Sequence, residues 1–122
     1  MDSTHHQLEQ QLQQVGQAKR TMETQLDQTK RKQVEQEWLE EDSNRLAQEK
    51  LMLLDFLRSG WQGEEASGFH RYLEAQQYEE AQAWRKDLQD KRANVEKELQ
   101  EVKAKLHTLE TKQATLQKEW SQ

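Results

Sequence analysis

The stretch LMLLDFLRSGWQGEEASGFHRYLEA, residues 51–75, decides how this chain folds. It holds three of the four glycines, both phenylalanines and the densest apolar run of the sequence. Within it, SGWQGEEASG reads as a bend between two helices. Gly60 and Gly63 can take positive φ at no steric cost, so Gly60 suits a helix C-terminus. Glu64 and Glu65 suit the positive end of the next helix, and Ser67 offers an N-cap slightly later.

Outward from the bend, two arms of nearly equal length carry helical periodicity. The first, about residues 3–59, has the apolar series Leu8, Leu12, Val15, Met22 and Leu26. The series continues with Val34, Trp38 or Leu39, Leu46, Leu53, and Phe56 or Leu57. Its steps are mostly 3, 4, 7 or 8 residues, with Lys19, Thr29 and Gln33 where an apolar residue is expected. In the second arm, about 66–120, Leu88, Val95, Leu99, Val102, Leu106, Leu109, Leu116 and Trp120 follow the 4-3 alternation of a heptad seam. Arg92 and Gln113 break that seam. Acid-to-base pairs four residues apart support both helices: Asp27 with Arg31, Glu41 with Arg45, Asp87 with Lys91, Glu101 with Lys105.

Composition agrees. Hydrophobic residues are 32% of 122, below the roughly 45–50% of an ordinary globular domain. Proline and cysteine are absent, and the net charge is −5. Ala, Glu, Lys, Leu, Arg and Gln, all good helix formers, dominate the chain. A seam between long helices is therefore the economical way to bury apolar surface. The expectation is an all-α fold: a two-helix antiparallel coiled-coil hairpin with the bend near residues 59–66, in which residues 1–122 form a single αα-hairpin with its turn at about 60–65. Each arm would span on the order of 85 Å at ~1.5 Å per residue.

The aromatics need a separate account. Leu51, Met52, Leu53, Leu54, Phe56 and Leu57 cover most of a helix circumference, so some lie off a two-helix seam. Across the bend stand Trp61, Phe69, Tyr72 and Leu73. They form either a small core that locks the bend or an exposed partner-binding patch. Both can hold, with Leu53 and Leu57 inside and Phe56 or Tyr72 outside. Trp38, Trp84 and Trp120 read as wide seam residues.

Several functions are disfavoured. No cysteine is available for disulfides or thiolate metal sites, and no apolar run nears the roughly 20 residues of a membrane span. MDSTHHQLEQQ has no apolar signal core, so the reading is of a soluble, cytoplasmic protein without direct membrane insertion. Lys30, Arg31 and Lys32 are too few for a nucleic-acid footprint. His5, His6 and Glu9 offer at most a loose surface metal set. His70 and His107 stand without a nucleophile or base. Paired acids such as Glu40–Glu41 and Glu79–Glu80 read as solvated helix faces, since a catalytic pair needs a pocket to separate its pKa values. No enzyme, metal or cofactor is expected.

Three segments resemble the stalk proteins of bacterial type III export: flagellar FliJ and the YscO, InvI and SsaO type of the virulence systems. LLDFLR at 53–58 is similar to the leucine-rich end of that family's first helix. SGWQGEE at 59–65 is similar to its bend, and FHRYLEAQQYEEAQAWRKDL at 69–88 to the start of its second helix. The resemblance implies a non-enzymatic stalk of a type III secretion system in the bacterial cytoplasm, peripheral to the inner membrane. It would link the secretion ATPase ring to the cytoplasmic ring of the export gate and could bind secretion chaperones. It also implies gate contacts near the bend, at Leu53, Phe56, Tyr72 and Leu73, with Glu49 beside them. The alternatives are a hairpin chaperone that holds a secreted subunit and a plain structural coiled-coil dimer.

Overall fold

The computed structural model describes residues 2–122 and consists of two α-helices packed against each other as a hairpin. Helix α1 is Asp2–Gly60 and helix α2 is Glu64–Ser121. Residues 61–63 make the turn. Gly60 is the last residue of α1, at the helix C-terminus for which its sequence position suits it, but it keeps a helical φ. Positive φ is confined to Gly63, at +130°. There a Cβ would be strained, and the chain reverses within three residues. Glu64 and Glu65 lie in the first turn of α2 and Arg58 in the last turn of α1, each complementing its end of the helix dipole.

The chain divides into two compact units, Met1–Gln33 with Asn94–Gln122, and Val34–Ala93. In the first, α1 buries a strict 4-3 series: Leu8, Leu12, Val15, Lys19, Met22, Leu26, Thr29 and Gln33. Facing it are Val95, Leu99, Val102, Leu106, Leu109, Gln113 and Leu116. Val15, Val102 and Leu116 are the most enclosed apolar side chains here.

Three polar interruptions of this seam, Lys19, Thr29 and Gln113, have partners. Lys19 Nζ donates to Gln113 Oε1 at 3.3 Å, so the two breaks form one polar layer. Thr29, fully buried, donates Oγ1–H to the Gln25 carbonyl at 2.8 Å and leaves its methyl to the seam. Each satisfied bond contributes only ~1 kcal/mol net, but an unsatisfied buried group would cost more. Lys32 pairs with Glu98 at 3.2 Å, and His5 lies against the Trp120 ring at 5.0 Å. Lys19 meeting Gln113 and Lys32 meeting Glu98 fix the pairing as antiparallel.

The Val34–Ala93 unit is built differently. Its α1 seam continues the 4-3 alternation through Gln36, Glu40, Ser43, Ala47, Lys50 and Leu54. The apolar series Val34, Trp38, Leu39, Leu46 and Leu53 was expected to face α2. Its members are instead 45–65% exposed. An uninterrupted helix keeps its phase, and Val34 lies one residue, roughly 100°, beyond the seam position Gln33. On α2, Ala66, His70, Gln77, Ala81 and Leu88 face the partner helix.

Polar bonds carry much of the pairing in this unit. Buried Gln36 donates Nε2–H to the Leu88 carbonyl at 2.9 Å. Glu40 pairs with Arg92, Lys50 with Glu80 at 3.2 Å, and Arg58 with Glu74. Along α1 the sequence-expected partner of Arg45 was Glu41. The arginine reaches Asp42 at 2.7 Å instead. Among the described residues no helix is long and apolar enough to cross a membrane.

Candidate interaction surface

Among the described residues, every exposed large apolar side chain except Trp120 lies between Val34 and Trp84. The cause is the phase of α1. Small and polar residues take its seam positions, and the large apolar ones stand outside. The Val34–Ala93 unit thus presents the surface that a coiled coil normally hides.

One side of this unit forms a groove of about 630 Å³. Ser43 and Ala47 of α1 and Ala81 of α2 make its floor, because their short side chains do not fill the space between the helices. Leu39 and Leu46 form one rim and Trp84 the other, each half or more exposed. Asp42, Arg45, Glu49, Lys50 and Glu80 supply its charge. Four of these are paired, Asp42 with Arg45 and Lys50 with Glu80. Glu49 makes no ion pair among the described residues.

The residues assigned near the bend can now be placed. Leu53 lies seven residues after Leu46, and Phe56 three further on, so both prolong the α1 rim of the groove toward the bend. They are 62% and 76% exposed. Leu53 is therefore not an inside residue; its neighbour Leu54 occupies the seam. Leu57, also expected inside, is 39% exposed. Glu49 is exposed and lines the groove. On α2, Leu73 is half-buried and lies seven residues before Glu80, on the groove side. Tyr72 is exposed, and its hydroxyl accepts from Gln76 Nε2 at 2.9 Å.

The bend also has a small lock, in which His70 takes a part that its isolation in the sequence did not reveal. His70 is buried, and its Nε2 donates to the Trp61 carbonyl at 2.8 Å. Trp61 stands edge-on to His70 at 5.6 Å and tilted against Phe69 at 5.5 Å. Ala66 is packed beneath them at 1% exposure. The aromatic cluster is thus divided: Trp61, Phe69 and His70 close the bend, while Phe56 and Tyr72 point to solvent. Trp38 and Trp84, expected as seam residues, are also more than half exposed. Trp120, at 41%, meets the His5 ring at a tilt of 60° in the other unit.

The chain matches no protein-family model, no curated protein and no solved structure. The resemblance to type III stalks therefore rests on residues 53–88. In this unit those residues comprise the end of α1, the turn and the beginning of α2. The geometry offers an extended apolar face with a few charges and a locked turn.

Proposed function

We propose that this protein is a non-enzymatic stalk component of a bacterial type III secretion system, acting in the cytoplasm at the inner-membrane apparatus. The Val34–Ala93 unit meets the cytoplasmic ring of the export gate, and the unit of Met1–Gln33 with Asn94–Gln122 engages the ATPase ring. The observation that carries a binding role is the concentration of exposed apolar side chains between Val34 and Trp84. The local resemblance at residues 53–88 supplies the identity of the partners. Leu53, Phe56, Tyr72 and Leu73, with Glu49, are the gate-facing residues in this reading.

Two measurements test it. The purified chain, added at well below one copy per ATPase subunit, should stimulate hydrolysis by the export ATPase of its source organism. Failure to bind or stimulate that ring would remove the stalk assignment. A stoichiometric complex with one secreted subunit, independent of the ATPase, would indicate the hairpin chaperone instead. Phe56→Ala with Tyr72→Ala should abolish secretion at unchanged helicity, because both side chains are more than half exposed. Secretion at the wild-type level by that double variant would remove the patch from the mechanism.

A further inference from the structure

We infer that the Leu39–Leu46–Trp84 groove binds a third helix, an amphipathic segment of another protein that presents basic residues beside its apolar stripe. The inference does not need the export assignment, although Glu49, Leu53 and Phe56 belong to both surfaces.

The first reason is geometric. From Leu39, the outer face of α1 runs Leu39, Asp42, Leu46, Glu49, Leu53, Phe56, with steps of three and four residues. This is a second heptad series, displaced by one residue, roughly 100°, from the seam and running alongside it. A coiled-coil contact needs such a series and holes between its knobs. Ser43, Ala47 and Ala81 provide the hole, and Leu39, Leu46 and Trp84 border it. A leucine on an incoming helix can enter between them as a large side chain cannot on a filled seam.

The second reason is charge. The two positions of this series that interrupt its apolar residues are both acidic. Asp42 is already paired with Arg45, but Glu49 has no ion-pair partner among the described residues. An arriving helix with lysine or arginine opposite Glu49 and Asp42 supplies that charge. A second copy of this chain is the less suitable occupant. Two such faces would bring together their acids, with Arg45 and Lys50 of each copy already engaged by Asp42 and Glu80, so neither copy offers a free base to Glu49 of the other.

The test uses the whole chain and a synthetic helix of about three heptads, with leucine at the stripe positions and arginine flanking them. A twin peptide replaces every arginine by glutamate. Fluorescence anisotropy of labelled peptide measures binding at low and moderate salt. The basic peptide should bind at least about tenfold more tightly than its acidic twin. Ala81→Leu, which fills the floor, should weaken binding about tenfold or more. Leu46→Asp should do the same, although a purely ionic attraction of a basic peptide to this acidic chain would be strengthened by the added carboxylate. Circular dichroism checks both variants; Leu46 is 52% exposed and lies outside the seam, so Leu46→Asp decides the test if Ala81→Leu, on the α2 face toward α1, loses helicity.

Equal binding of the two peptides would overturn the charge assignment. Absence of binding, or wild-type binding by both variants, would overturn the groove. A concentration-dependent dimer of the chain, dissociated by Leu46→Asp in sedimentation equilibrium, would give the groove to a second copy and likewise overturn the proposal.

Discussion

His70 Nε2 donates to the main-chain carbonyl of Trp61 across 2.8 Å, and the two rings meet edge-on. A side chain in the second turn of α2 thus holds the first residue after α1. The contact ties the turn to the helix that follows it, while Trp61 N–H still bonds back to the Leu57 carbonyl at 2.9 Å. The reversal at Gly63 is held from both sides.

Loss of this bond should loosen the bend before anything else. His70→Phe retains an aromatic edge for Trp61 but leaves its carbonyl without the donor. We expect a loss of about 1–2 kcal/mol, the usual range for breaking one such bond. Hydrogen exchange at the Trp61 and Ser67 amides should accelerate, and amides near Val15 and Val102 should not. Uniform acceleration over the whole chain would contradict a local lock.

The seam phase predicts opposite outcomes at adjacent residues. Leu54 is a half-buried seam residue, whereas Leu53 is 62% exposed. Leu54→Ala should cost about 1–2 kcal/mol, roughly half of what a fully buried leucine loses. Leu53→Ala should stay within about 0.5 kcal/mol. Urea unfolding of the two variants decides it, and the reverse order would place the seam on the Leu39–Leu46–Leu53 series.

The glycines of the bend should also separate. Gly63 at φ +130° cannot take a side chain without strain, although nothing lies within 4 Å of the added carbon. Gly63→Ala should therefore destabilise by about 1–3 kcal/mol. Gly68 lies inside α2, also with open space around it. Gly68→Ala should stabilise by about 0.5–1 kcal/mol through helix propensity. Thermal melts of the two variants, shifting in opposite directions, would establish that only Gly63 is required by the backbone.

Much of this was legible in the residues. Glycines and acids at 60–65, heptad leucines from Leu88 to Leu116 and a lack of apolar bulk together specify a helical hairpin, because local propensity and periodicity act within one helix. Tertiary structure decided which face each helix turns inward beyond Gln33. Val34, Trp38, Leu39, Leu46 and Leu53 have the composition of a core, yet an unbroken helix carries the phase of its seam past them to Gln36, Glu40 and Leu54. The same holds for His70, whose role depends on a carbonyl nine residues away brought near by the turn. Periodicity shows that a stripe exists. Which stripe faces the partner helix depends on both helices at once, and in this chain the choice leaves the larger apolar residues outside, where a third element can reach them.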